Sequence, residues 1–276
     1  MKNIIRNRRS VRTFDGIPLK PETAQEILDY ANSVVNPYGL SIQWFLLDAG
    51  KENLKCPVIT GTDIYIAGKM KKAPHGEEAF GYAFEKVVLF AESKGLGTTW
   101  IGGTMDRKAF EKAIHLGSDE VMPCVSPLGV PADKMAIKET LMRKAVKADT
   151  RLPLSELVFD KGFDTPLSSE RYGDLANAFE LVRWAPSAVN KQPWRLVINE
   201  RNVHFFEKKA KGYVDGSGWD MQKIDMGIAL CHFEIGVQEA GRSCELVLSD
   251  PGISTPTGTE YIATLQLDYL SRRITK

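Results

Sequence analysis

Residues 27–36 and 181–190 repeat one another, and any fold for this chain has to accommodate that. Ile27-Leu28-Asp29-Tyr30-Ala31-Asn32-Ser33-Val34-Val35-Asn36 lines up with Leu181-Val182-Arg183-Trp184-Ala185-Pro186-Ser187-Ala188-Val189-Asn190. Aromatic stands against aromatic, and Ala, Ser, Val and Asn recur in place. A second pair follows in the same order. Gly81 to Gly95 reads GYAFEKVVLFAESKG and Gly227 to Gly241 reads GIALCHFEIGVQEAG. Each is expected to be an apolar helix opened by one glycine and closed by another, the closing glycine tolerating the positive φ that helix ends use. A period of about half the chain is too long for a solenoid. The competing reading is that two amphipathic helices are alike by chance, and two ordered pairs speak against it. Duplication and fusion of one α+β unit is the better account, with halves at 1–160 and 161–276.

Local patterning gives the units their elements. A helix is expected from about Pro21 to Ser33, with Ala24, Ile27, Leu28 and Ala31 on one face. A strand-like run, Ile42 to Leu47, follows it. A second helix is expected from Asp174 as N-cap, with Leu175, Ala178, Phe179 and Val182 on one face, and then a strand over Arg195 to Asn199. Lys138 to Asp164 reads as an extended connection between the halves.

Charge and cysteine content exclude several classes. The formal net charge is +1 over 276 residues, so no global field draws the chain to nucleic acid or membrane. No apolar stretch approaches the roughly 20 residues that span a bilayer, and the basic segment Met1 to Ser10 is not followed by the apolar core of a secretory signal. Cys56, Cys124, Cys231 and Cys244 are widely spaced, without a CxxC or zinc spacing. Free thiols in a reducing cytoplasm, and no metal, are the expectation.

Three stretches can carry chemistry. Arg8, Ser10 and Arg12 would share one side of an extended segment. Two guanidiniums flanking a hydroxyl suit a phosphate monoester; a solvated basic patch is the plainer alternative. Ala185 to Trp194 is bracketed by Pro186 and Pro193, so it is a structured loop rather than a helix. Ser187, Asn190 and Gln192 there offer donors and acceptors to a planar heterocycle, or else satisfy their own loop. After Gly95, a short strand should lead to Gly102-Gly103, where a backbone can approach a ligand closely or simply turn.

Together these stretches resemble the nitroreductase family of FMN-dependent oxidoreductases. The resemblance rests on Arg8-Arg9-Ser10-Val11-Arg12-Thr13-Phe14, on the complete segment Ala185-Pro186-Ser187-Ala188-Val189-Asn190-Lys191-Gln192-Pro193-Trp194, and on Gly95-Leu96 leading to Trp100-Ile101-Gly102-Gly103. Ser126 to Pro131 is similar to a late strand and turn of that family. The resemblance implies an α+β fold, a mostly antiparallel central sheet flanked by helices, with two pseudo-symmetric halves in one chain. It implies bound FMN, with NAD(P)H as co-substrate and ping-pong hydride transfer through flavin N5 to a small electron-poor acceptor. No side chain is then obligatory as acid or base.

The implied cofactor residues are Arg8, Arg9, Ser10 and Arg12 with Arg151 toward the phosphate, Pro186, Ser187, Ala188, Asn190 and Gln192 toward the ribityl chain or ring, and Trp100, Ile101, Gly102 and Gly103 near N5. Common members place the arginine segment and the A-P-S loop a few tens of residues apart and share the flavin across a homodimer. Here the two lie about 180 positions apart, as a fused pseudo-dimer would have them. The first-half counterpart loop, Asn32 to Gly39, lacks the Q-P-W ending, and Gly162 to Ser168 carries no arginine, so one FMN per chain is expected. A non-catalytic flavin binder stays open, as does a specialised relative such as a reductive dehalogenase or flavin-destroying enzyme with a lid over Lys69 to Glu78. No nicotinamide fingerprint is present.

Overall fold

The computed structural model describes residues 1–214 and 219–268. Packing divides the chain into two units, one of Asn3–Asp149 and one of Met1–Lys2 with the chain from Thr150 onward. The sequence reading puts this boundary after residue 160. The first unit holds helix α1 (Lys2–Asn7), α2 (Pro21–Ser33), strand β1 (Gln43–Asp48), α3 (Ala49–Glu52), β2 (Ile64–Lys71), α4 (Gly76–Ser93), α5 (Arg107–Ala113), β3 (Glu120–Val121), β4 (Val125–Leu128) and α6 (Ile137–Ala145). The second holds β5 (Val158–Asp160), α7 (Ala176–Trp184), β6 (Trp194–Asn199), β7 (Asn202–Lys208), α8 (Met221–Glu239), β8 (Cys244–Val247) and β9 (Thr259–Leu267).

Each unit has its own sheet. In the first, β2 pairs antiparallel with β1 on one side and with β3 and β4 on the other. Because side chains alternate along a strand, β2 feeds two cores. Tyr65 and Ala67 pack with Val11, Phe14, Phe110 and Ile114. Ile66 and Met70 pack with Ile27, Ala31, Phe80 and Phe84. Gly68 falls on that second face because a Cβ there would stand 2.6 Å from the Trp44 ring and 2.9 Å from Phe80. In the second unit the order is β5-β6-β7-β9-β8, antiparallel except for β5 on β6. Both units run helix, strand, antiparallel strand, long helix: α2-β1-β2-α4 and α7-β6-β7-α8.

Several elements differ from their sequence reading, for local reasons. α2 has the expected bounds, with Pro21 in its first turn. α4 and α8 begin before the glycines expected to open them. Gly81 and Gly227 lie buried inside the helices, while Gly95 and Gly241 take positive φ just past their ends. Asp174 is no cap: α7 begins after a 3-10 turn with Leu175 as its capless N-cap, and the Asp174 carboxylate pairs with Arg242 at 3.1 Å. The stretch Lys138 to Asp164 is not simply extended. It contains most of α6, whose apolar residues Ile137 and Leu141 are exposed and give little core signal. No strand follows Gly95; isolated bridges at Gly97 and Ile101 stand in its place. Lys69 to Glu78 forms the end of β2, a turn and the start of α4, with Lys69 buried and paired to Glu120 at 2.9 Å.

α7 and α8 cross at Gly236, where an added Cβ would fall 2.3 Å from the Ala178 Cα. In an open helix Gly→Ala stabilises by roughly 0.5–1 kcal/mol. Here the added methyl meets backbone, so Gly236→Ala should destabilise by about 1–3 kcal/mol and lower the midpoint in thermal or urea unfolding. A raised midpoint would show that the helix pair has room to spare.

Candidate functional site

In the first unit the arginine segment lies along the turn after α4. Ser10 bridges Thr98 in parallel fashion and the Val11 N–H donates to the Thr98 carbonyl at 2.9 Å. Gly97 makes this approach possible, since a Cβ there would meet Val11 at 2.8 Å. Arg8 is only 9% exposed, and among the described residues its Nε and Nη1 have no hydrogen-bond partner. The buried hydroxyls of Thr98 and Thr99 are likewise unpartnered. Burial lowers the Arg8 pKa, against the pull of the Glu85 and Glu92 carboxylates, while Arg143 repels it. A buried cation with unused donors is costly.

The other arginines face elsewhere. Arg9 donates to Glu139 at 3.2 Å, and Glu139, 2% exposed, also accepts from the Thr13 hydroxyl at 2.8 Å. The Arg12 pKa is lowered by burial and raised by Glu139, with Arg143 again opposing. Arg143, on α6, therefore acts on both Arg8 and Arg12. Sequence reasoning missed it because its helix was read as extended.

The Trp100 indole donates to the buried Glu85 at 3.2 Å and meets Phe84 edge-on. The Ile101 N–H and carbonyl are both taken by Val125, at 2.9 and 3.0 Å, so that N–H is not available to a ligand. Gly103 keeps open space where a side chain would be, and a Cβ on Gly102 would make only ordinary contact with the Pro123 carbonyl at 3.8 Å. Arg107 fastens this turn by donating to the Gly102 carbonyl, to Met122 at 2.7 Å and to Pro123 at 3.1 Å.

In the second unit Arg151 and the A-P-S loop come together. Arg151 lies over the Trp184 ring, 5.1 Å from its centroid, and its Nη1 is 3.4 Å from Asn190 Oδ1. The loop's polar side chains serve the loop. The Ser187 hydroxyl accepts from the Gln192 N–H at 2.9 Å, Gln192 Oε1 accepts from the Leu152 N–H at 2.9 Å, and Asn190 Nδ2 donates to Thr150 at 3.1 Å. These contacts join the loop to its own backbone and to the segment Thr150-Arg151-Leu152. Pro186 stands just before the extended Ser187, and Trp194 is fully buried core. Val189, Asn190 and Gln192 all have positive φ, at 52°, 55° and 50°. A β-branched residue there is an outlier that its surroundings must hold in place.

Two buried charges missed by the sequence reading hold that loop. Asp225, on α8, accepts from the Ala188 N–H with both oxygens, at 3.0 and 3.1 Å. Arg195 donates to the Gln192 carbonyl at 3.0 Å. A lone aspartate in the apolar run of α8 was the available signal. Burial pushes the Asp225 carboxyl well above the usual carboxylate range, with Glu207 and Asp220 adding to the shift. Glu207 is fully buried with neither oxygen bonded.

A sequence profile described as "Putative TM nitroreductase" matches residues 1–237. A protein of Pseudomonas sp. (strain G-1) named "CR(VI) reductase" is 22% identical over 248 residues, covering 76% of this chain and 97% of that protein. Among solved structures, a "putative nitroreductase" from Thermotoga maritima MSB8 superposes with a TM-score of 0.63 at 20% identity, over 96% of this chain and 92% of its own. An FMN-dependent nitroreductase from Clostridium difficile R20291 matches at 18% identity and a TM-score of 0.43, over 52% of this chain and 96% of its own.

The buried carboxylates allow a check that needs no ligand. Burial raises the Glu207 pKa to about 7, with Asp220 and Glu260 pushing the same way and Lys209 and Lys223 opposing. An acid whose pKa is raised on folding costs stability as pH climbs from its unfolded value toward its folded one. Glu207→Gln should therefore raise the unfolding temperature by a few degrees at pH 8 and much less at pH 5. An equal shift at both pH values would mean that Glu207 does not titrate in this window.

Proposed function

Since the chain belongs to the nitroreductase family, we propose that it is an FMN-dependent oxidoreductase that takes hydride from NADH or NADPH and passes it to a small electron-poor acceptor. Family membership supports the oxidoreductase class. The flavin rests on the motif resemblance and on one structural observation, the buried Arg8 guanidinium with two unused donor positions beside the unpartnered Thr98 and Thr99 hydroxyls. That donor set fits a phosphate monoester, whose oxygens accept from a guanidinium fork and from hydroxyls at once.

Arg8, Ser10 and Arg12 are the proposed phosphate residues; Arg143 is engaged by Asp149. Arg9 is left out because Glu139 already occupies it. The Ser187–Gln192 loop with Arg151 is proposed for the ribityl chain or ring, through its backbone. Gly102 and Gly103, rather than Ile101, are the proposed backbone neighbours of the reactive edge, and Trp100 a wall. FMN, when bound, supplies the hydride acceptor and donor position; the chain's own groups bind it, orient it and place donors near its reduced ring. The shared helix-strand-strand-helix order of the two units supports duplication, and with it one flavin per chain. Nitroaromatics and quinones are the acceptors this reading favours, and the relative named for Cr(VI) reduction adds chromate to the set to try.

Titration of the purified protein with FMN should saturate at one equivalent, and anaerobic NADH or NADPH should bleach the flavin. A stoichiometry near two would overturn the single site, and a flavin that binds but never bleaches would overturn turnover. Arg8→Met should weaken FMN by about 10- to 150-fold, the range for a lost charge-assisted contact. The same change should leave the unfolding midpoint of the ligand-free protein near the parent's, because it relieves a buried cation while withdrawing it from Glu85 and Glu92. Normal FMN affinity in that variant would remove Arg8 from the site.

A further inference from the structure

The Ser187–Gln192 loop holds a shape that its own sequence does not favour. Three of its residues have positive φ and none is glycine. Val189, β-branched and exposed, would relax to negative φ if nothing prevented it. Within the loop, Asn190 N–H to Ser187 carbonyl (3.0 Å) and Gln192 N–H to Ser187 Oγ (2.9 Å) close the turn. Those contacts move with the loop and do not anchor it. The anchors come from outside it: Leu152, Thr150 and Arg151 hold the Gln192 and Asn190 side chains, and two buried charged residues hold its backbone. Asp225 is 3% exposed and takes the Ala188 N–H between its two oxygens, one residue before the first positive φ. Arg195, 9% exposed, donates to the Gln192 carbonyl, at the last one. Asp225 lies in the helical interior of α8, and Arg195 lies in β6, so neither side chain is part of the strained segment.

We infer that Asp225 is a positioning residue for flavin binding: its carboxylate holds the Ala188 N–H and so fixes the strained 187–192 loop in the conformation that receives the cofactor. This rests on the flavin reading above. Asp225 touches neither cofactor nor reacting atoms in this account; it acts through Ala188. The carboxyl group is desolvated there, and both of its oxygens are within hydrogen-bond reach of the one backbone N–H. Removing it leaves a buried donor unanswered.

The test compares Asp225→Ala and Asp225→Asn in the full chain. FMN affinity is followed by quenching of flavin fluorescence, and amide hydrogen exchange of 187–192 is measured without FMN. Asp225→Ala should weaken FMN by about tenfold or more, as expected for an unanswered buried donor, and should speed exchange across 187–192 but not in α7 or β6. Asp225→Asn, whose side-chain oxygen still accepts from Ala188, should stay within about threefold of the parent and keep the loop protected. The inference is overturned if Asp225→Ala binds FMN normally with a protected loop. It is also overturned if both variants lose affinity and protection alike throughout the unit, since that is general destabilisation. Should the unaltered chain take up no FMN, the flavin reading falls, and the exchange data alone decide whether Asp225 holds the loop.

Discussion

An ion taken out of water into a protein interior costs several kcal/mol unless an opposite charge or a set of hydrogen bonds replaces the lost hydration. This chain buries Arg8, Lys69, Glu78, Glu85, Glu139, Arg195, Glu207, Asp220 and Asp225, and how each is answered organises the molecule. Lys69 meets Glu120 and the His115 carbonyl. Glu139 meets Arg9 and Thr13, which ties the segment after α1 to α6. Arg195 and Asp225 bond to backbone groups at the two ends of one loop. These contacts are structural in the ordinary sense: a charge is matched and two elements are joined.

Arg8 and Glu207 are different. Neither finds a protein partner for the atoms that burial exposes to the cost: Nε and Nη1 of Arg8, and both carboxyl oxygens of Glu207. Their responses differ with their chemistry. A carboxyl can escape by keeping its proton, and burial moves Glu207 to about 7. A guanidinium has no such exit near neutral pH, and Arg8 has only the longer-range pull of Glu85 and Glu92 for its free donors. That asymmetry is why the phosphate proposal rests on Arg8 and not on the more numerous exposed cations.

The same reasoning separates glycines that matter from those that do not. Gly68, Gly97 and Gly236 exist because a methyl would strike an aromatic pair, Val11 or the backbone of α7. Gly81 and Gly227, conspicuous in the repeat, are simply interior to helices. At the A-P-S loop the chain uses positive φ without glycine at all, and the strain is carried by contacts from β6 and α8.

The residue pattern alone was enough for a good deal. The period of Ala24, Ile27 and Ala31, with Pro21 in front, determined α2 to the residue. Gly95 and Gly241 marked two helix ends through their freedom at positive φ. Pro186 and Pro193 excluded a helix between them, and the two motifs pointed to the family. Helix starts were less legible: a cap is only a cap if its side chain has nothing better to bond, and Asp174 has Arg242, a partner 68 positions away that only folding supplies. The exposed apolar residues of α6 hid that helix for a similar reason. The site itself divides along the same line. Residue type and spacing are what put Arg8, Ser10 and Arg12 forward for a phosphate and the A-P-S loop for a ring. Only the tertiary structure decided that Arg8 is unanswered while Arg9 is not, that Ile101 gives its N–H to Val125, and that Asp225 holds Ala188, because each depends on which distant group burial brings within hydrogen-bond reach.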